Sequence, residues 1–135
     1  MISRLSIRTP GQGLHEITAD VARIVADSAT SEGLCTIFVR HTSCSLTIQE
    51  NADPSARHDL EAWLHRLVPE GDTHFTHTSE GPDDMPSHIK AALTLTSIGV
   101  PIEGGRLALG TWQGIYLWEH RRRPHNRSIV VHIGP

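Results

Sequence analysis

The stretch Ser97-Ile-Gly-Val-Pro-Ile-Glu103-Gly104-Gly105-Arg106-Leu-Ala-Leu-Gly110 decides the architecture. Ser97 to Ile102 reads as a strand. Glu103 to Arg106 centres on two glycines, the chemistry of a two-residue hairpin turn. Leu107 to Gly110 then returns along the first run. Gly110 to Gly114 makes another turn. Residues 115–121 read as a strand with Ile115, Leu117 and Glu119 on one face and Tyr116, Trp118 and His120 on the other. Pro124-His125-Asn126 turns the chain into a last strand, Ser128 to Ile133. Four strands in succession on tight turns imply antiparallel pairing.

Upstream of that ladder, residues 2–8 predict a strand, ended by turn residues from Thr9 to Gly13. Ile17, Val21, Ile24 and Val25 share a helical face over residues 18–30, with Thr18 the expected cap and Gly33 the expected stop. Residues 34–40 predict a strand with Cys35, Ile37, Val39 and then His41 toward the interior. Residues 44–49 predict another, with Cys44, Leu46 and Ile48 on one side. The short Thr42-Ser43 link suggests a bend or hairpin, which would let these two strands pair. Asp53-Pro54 opens a second helix with an apolar stripe of Leu60, Trp63, Leu64 and Leu67. A short third helix is expected after Pro86. The fold class is therefore α+β: one domain over residues 1–135, a mostly antiparallel sheet, two main helices and a short third.

Length and composition agree with one soluble globular domain of 135 residues, 38% hydrophobic and 20% charged. A net charge of -3 argues against a general nucleic-acid binder. No run is long and apolar enough for a signal peptide or membrane span. Two cysteines make neither a disulfide framework nor a CxxC zinc pattern, so the expectation is a cytoplasmic protein with reduced thiols.

Three polar stretches are expected to meet in space: Arg40-His-Thr-Ser-Cys-Ser45, Glu80-Gly-Pro-Asp-Asp-Met-Pro-Ser-His-Ile-Lys90 and Gly110-Thr-Trp-Gln-Gly114. Asp83 and Asp84 could hold a Mg²⁺, or Asp84 could simply cap the helix near Pro86. His41, His77 and His88, brought together, would suit Zn²⁺ with an open fourth position. They could equally touch substrate directly or serve as structural hydrogen-bonding groups. Thr42 and Ser43 offer hydroxyls and amides for phosphate. Glu119 falls on the interior face and needs a partner, for which Arg127 is the candidate. Lys90, Arg121 and Arg127 could neutralise phosphate, although Arg121 to Arg123 also reads as a solvated strand end. Trp112 could stack on a ligand ring or pack in a subunit interface.

His41-Thr-Ser-Cys-Ser45, Gln49-Glu-Asn-Ala-Asp53, Gly81-Pro-Asp-Asp-Met-Pro-Ser-His-Ile-Lys90 and Gly110-Thr-Trp-Gln-Gly-Ile115 occur in that order and together resemble the YjbQ family, the secondary thiamine-phosphate synthases. The resemblance spans nearly the whole chain. It implies a homotrimer of compact α+β subunits and a weak thiamine-phosphate synthase activity. In that reaction hydroxymethylpyrimidine diphosphate joins a thiazole phosphate and pyrophosphate leaves, which implies Asp83 and Asp84 placing a Mg²⁺ against the diphosphate and Trp112 stacking on the pyrimidine. The motif carries over at His41, Thr42, Ser43, Asn51, His77, His88, Gln113 and Glu119. Cys44 is a departure, since family members often have Ala or Gly near it, and it is not read as a nucleophile. The expected site therefore has His41, Ser43, His88 and Glu119 as catalytic groups and Thr42, Asn51, Asp83, Asp84, Lys90, Gln113 and Arg127 as substrate contacts. His41, His77 and His88 are the candidate metal ligands, with Mg²⁺ or Zn²⁺ the ions considered. The partners expected are a small phosphorylated substrate and further copies of the chain, with no nucleic acid and no membrane. The alternatives are a metal-dependent hydrolase or phosphatase at the same His/Asp site, and a non-catalytic trimer that binds a small ligand.

Overall fold

In the computed structural model, which describes residues 1–135, the chain runs β1 (Ile2–Thr9), β2 (Gly13–Glu16), α1 (Thr18–Ser28), β3 (Glu32–Val39), β4 (Cys44–Glu50), α2 (Pro54–Leu67), α3 (Asp84–Leu93), β5 (Ser97–Glu103), β6 (Arg106–Leu107), β7 (Gln113–Glu119) and β8 (His125–Gly134). The α+β class holds, and every strand pair is antiparallel. The strands divide into two sheets, a five-stranded one ordered β1-β8-β3-β5-β6 and a three-stranded one ordered β2-β7-β4. Gly104 and Gly105 take φ of 58° and 78°, so the expected β5–β6 hairpin has the left-handed turn that only glycine adopts freely.

Between the sheets lies the main core. Val21 and Val25 of α1, Cys35, Ile37 and Val39 of β3, Leu46 of β4, Ile115 and Leu117 of β7 and Ile129 and Val131 of β8 are all buried there. Each fully buried Ile or Leu side chain stabilises the fold by about 1.5–3 kcal/mol relative to exposure. The other face of β7 presents Tyr116 and Trp118, which pack with Leu14, Leu64 and Val68 under α2. β7 is thus buried on both faces, which explains its continuous apolar run.

Several local expectations are corrected. Gly13, expected in the turn, instead opens a strand, Gly13–Glu16, not foreseen from the sequence, whose backbone pairs with Tyr116–Glu119. Thr18 does not cap α1; its hydroxyl accepts from the Ile115 amide and donates to Glu16. The helix stops at Ala29, with φ of 54°. Gly33 sits in β3 instead, where a Cβ would lie 2.4 Å from the Gly134 carbonyl oxygen. β3 and β4 do not pair, since Thr42 and Ser43 carry the chain from one sheet to the other. The return strand after the Gly-Gly turn is only Arg106–Leu107. α2 starts as expected, with Asp53 accepting from the Ser55 amide at 2.9 Å and Pro54 in its first turn. Only Leu64 of its stripe is fully buried, while Trp63 and Leu67 remain about half exposed at 51% and 52%. α3 starts two residues before Pro86 and has no side-chain cap, because both aspartates at its start are engaged elsewhere.

No helix is long and apolar enough to cross a membrane.

Candidate functional site

At one end of the β4–β7 ladder Cys44 lies opposite Glu119; at the other, Glu50 lies opposite Gln113. Six residues of strand separate them, about 20 Å. The expected site residues divide between these ends. His41, Thr42, Ser43, His77, Asp83, Asp84, His88, Glu119 and Arg127 gather at the first. Asn51 and Gln113 stand at the second, so the third polar stretch does not meet the other two within one chain. There Asn51 donates to Glu16 at 3.1 Å, Gln113 accepts from the Gly110 amide at 2.8 Å, and Trp112 is 63% exposed.

The first end is built around a buried ion pair. Arg127 Nε donates to Glu119 Oε1 at 2.7 Å, and its Nη2 donates to Oε2. Thr9 donates to Oε1 at 2.6 Å and the Arg121 amide to Oε2 at 3.2 Å. Burial pushes the Glu119 carboxyl up, but Arg127, Thr9 and the Arg121 amide together hold it below its ordinary value of 4.5. Arg127 also donates to the Ser43 hydroxyl at 3.0 Å. The Glu119–Arg127 pairing is the one expected from the sequence.

His41 does not join the other two histidines. Its Nε2 accepts from the Ser128 amide at 2.8 Å, which places the proton on Nδ1 and leaves no lone pair for a metal. Burial lowers its pKa, and the Arg127 charge lowers it further.

His77, Asp84 and His88 form the second cluster, their ligand-type atoms all within 4.8 Å of one another. Both rings aim Nε2 at the same oxygen, Asp84 Oδ2, His77 at 2.7 Å and His88 at 3.2 Å. The other oxygen, Asp84 Oδ1, accepts from Arg121 Nη1 at 2.6 Å. Asp83 Oδ2 accepts from Arg121 Nε at 3.1 Å and from the Arg122 amide at 2.9 Å. Burial opposes the ionised form of Asp83, and these hydrogen bonds outweigh it to lower the pKa. The aspartates therefore do not cap α3, and Arg121 is a clamp rather than a solvated strand end. His88 Nδ1 meets the Thr42 carbonyl at 3.0 Å. A carbonyl only accepts, so Nδ1 carries the hydrogen. In a neutral ring the remaining lone pair, on Nε2, then points at a carboxylate oxygen. That contact is favourable only when a proton or a cation lies between them.

Behind the clusters, His120 is buried, with Nε2 2.9 Å from the Ser45 hydroxyl. Burial first, and then the Lys90 charge, push its pKa down to about 3. Thr9 and His120 are absent from the residues expected of the site, and Ser45 entered only as the end of the Arg40–Ser45 stretch; in the sequence Thr9 reads as turn and His120 as a strand residue facing away from Glu119. Cys44 is buried and its thiol is pushed up to about 12, so it stays protonated and unreactive. Lys90 is buried on a different face of α3 from His88 and reaches a cleft under α2.

Residues 3–135 match the family described as UPF0047 protein YjbQ-like. The chain is 54% identical over 129 residues to the UPF0047 protein sll1880 of Synechocystis sp., covering 96% of this chain and 88% of that protein. It is 42% identical over 128 residues to the UPF0047 protein YjbQ of Escherichia coli O157:H7, covering 94% and 92%. Among solved structures it resembles the conserved hypothetical protein TT1486 of Thermus thermophilus, with a TM-score of 0.86, 36% identity and coverage of 98% and 99%. The hypothetical protein APE1520 of Aeropyrum pernix shares the fold at a TM-score of 0.90 with 22% identity, covering 99% and 98%.

Proposed function

We propose, from the premise that this chain belongs to the YjbQ-like UPF0047 family, that it is an enzyme acting on a small phosphorylated substrate with a divalent cation held by His77, Asp84 and His88. The observation that carries this reading is the hydrogen bond from His88 Nδ1–H to the Thr42 carbonyl, which turns the lone pair of Nε2 onto Asp84 Oδ2. A backbone carbonyl behind a ligating histidine is the usual support for a metal ligand. Two ligands about 2.1 Å from one ion lie roughly 3.0–3.4 Å apart at tetrahedral or octahedral angles. The observed 2.7 and 3.2 Å are near that spacing.

Two imidazoles and one carboxylate suit a borderline ion such as Zn²⁺ better than Mg²⁺, which prefers oxygens. Asp83 is committed to Arg121 and Arg122 and is a poor second Mg²⁺ ligand. The cation would supply charge stabilisation to phosphoryl oxygens. Arg121 holds Asp84 in register through its second oxygen, and Thr42 fixes the His88 ring.

For the reaction we put forward the one that the resemblance implies, thiamine-phosphate synthesis. There the pyrimidine methylene's carbon–oxygen bond to diphosphate breaks, a carbon–nitrogen bond to the thiazole forms, and pyrophosphate leaves. We further propose that the working unit is a homotrimer, in which the Asn51–Gln113 end of one subunit could approach the histidine end of another. A second reading, cation-dependent phosphate-ester hydrolysis, is favoured by the open side of the cluster, where the His77 side chain is 51% exposed and water could enter.

The test is product formation from both thiamine precursors with Zn²⁺ or Mg²⁺, comparing wild type with His88→Ala. We expect wild-type thiamine phosphate, and a loss of cation affinity and turnover of at least about tenfold in the variant. Pyrophosphate or phosphate release without the thiazole would move the assignment to hydrolysis. No cation-dependent turnover of either kind would sink the enzymatic reading.

A further inference from the structure

Lys90 lies in α3 two residues beyond His88 and faces away from the histidine cluster. Only 5% of its surface is exposed. Its carbonyl accepts from Thr94, but its ammonium has no hydrogen-bond or ion-pair partner in the chain. Of the carboxylates whose charge it feels, Asp83 is paired with Arg121; Glu70 gives Oε2 to Arg122 and keeps a buried, unpartnered Oε1, but forms no ion pair with Lys90. Arg127, the remaining arginine of this region, is consumed by Glu119 and Ser43. A buried ammonium carries three donors and needs acceptors for them. Lys90 lines a cleft of about 360 Å³ between α2, β2 and the outer face of β7.

His58, Glu61 and His65 sit at i, i+3 and i+7 of α2, on one helical face, and line this cleft opposite Lys90. Trp118 and Glu119 of β7 and His120 just beyond it form the other side, the Glu119 carboxylate being taken up by Arg127, Thr9 and the Arg121 amide. Glu61 Oε1 accepts from the Leu14 amide at 3.2 Å, which anchors the carboxylate to β2 on the side formed by Gln12 and Gly13. The Gln12 side chain is spent on the His120 carbonyl at 3.0 Å. Lys90 is therefore the uncommitted cation of the cleft, and the rim histidines add donors.

We infer that the cleft between α2 and β7 is a binding site for the phosphate or carboxylate head of a small molecule, with the Lys90 ammonium as its counterion and His58 and His65 at its mouth. This site is separate from the His77–Asp84–His88 cluster and does not depend on the reading given to that cluster. Glu61 limits the occupant: a second anionic group on the far side would meet a like charge, so the ligand carries its negative charge at one end.

The experiment titrates inorganic phosphate into the whole chain with EDTA present, following amide chemical shifts and thermal stability against chloride at equal ionic strength. Saturable shifts at α3, α2 and β7, with a rise in Tm, are expected for wild type. In Lys90→Met the phosphate affinity should fall about tenfold or more, the loss of a charge-assisted contact. Lys90→Met without phosphate should stay folded, since the desolvation cost of the buried charge and its attraction to Glu70 are removed together. Lys90→Gln provides a second folded comparison. His88→Ala should retain the phosphate response, which separates this cleft from the cation cluster. Equal binding by wild type and both Lys90 variants would overturn the proposal. So would a wild-type response no larger than that to chloride.

Discussion

Glu119–Arg127 and His77–Asp84–His88 lie at the same end of the fold and use the same kinds of groups, yet they are built in opposite ways. Glu119 receives four donors, and Arg127 spends its fork on Glu119 and Ser43. That pair is sealed and saturated. Asp84 offers one oxygen to Arg121 and leaves the other facing two imidazoles, one of them half exposed. A saturated buried pair holds structure and has nothing left to give a ligand. An under-used carboxylate between two histidines has capacity to spare. Proximity and residue type alone would not separate the two roles; the count of satisfied donors and acceptors does.

The sharpest way to break this contrast is Arg127→Met. It strands Glu119 in the interior, and the expected loss is about 3–5 kcal/mol by urea denaturation. The double variant Arg127→Met/Glu119→Met should recover much of it. A double variant as unstable as the single would mean that the pair is not the isolated unit described.

The acid limb of stability gives the next test. His120 has a folded value of about 3 against an ordinary 6.5, so the unfolded chain takes up the proton first. Stability should fall as pH drops from 6.5 toward 3, by up to about 1.4 kcal/mol per pH unit. Glu119 has a depressed value, so its contribution is full above its ordinary 4.5 and is lost as pH falls through the folded value. The limb should therefore steepen below about 4.5. His120→Gln keeps a partner for Ser45 but does not titrate, and should flatten the limb between 6.5 and 4.5. An unchanged limb would show that His120 is not held neutral by burial.

The smallest effect on the fold is expected from Trp112→Ser. Its side chain is largely exposed in the chain, so monomer stability should shift by no more than about 0.5 kcal/mol. If the Gln113 end packs on a neighbouring subunit, the same change should lower the sedimentation-derived mass at a given concentration. Unaltered assembly would remove Trp112 from the interface.

Much of the architecture was legible in the chain. The Gly104-Gly105 turn, the strand over Ser97 to Ile102, and the Asp53-Pro54 helix start are local signals, decided within a few residues. The division into two sheets was not legible. A strand's period says which side chains share a face, not which strand lies beside it, and Thr42-Ser43 reads equally as a hairpin or a crossing. Gly13–Glu16 escapes a local reading because a short segment next to a Gly-containing turn looks like part of that turn until β7 supplies its partners.

The site divided in the same manner. Glu119 and Arg127 could be paired from the sequence because an inward carboxylate must have a counter-charge, and few cations were near. His41 could not be separated from His77 and His88, since only the Ser128 amide reveals that its lone pair is taken. Arg121 looked like one of three solvated arginines until the start of α3 met it.

What the sequence by itself determined is therefore what short-range physics controls: the strand and helix periods, the hairpin, the cap of α2, and which polar residues face inward. Only the tertiary structure decided which inward-facing polar groups are satisfied and which are not. That property belongs to contacts between residues far apart in the chain, such as Lys90 under α2 or His88 against Thr42. Hydrogen-bond saturation is a sum over three-dimensional neighbours, and no local pattern of residues encodes it.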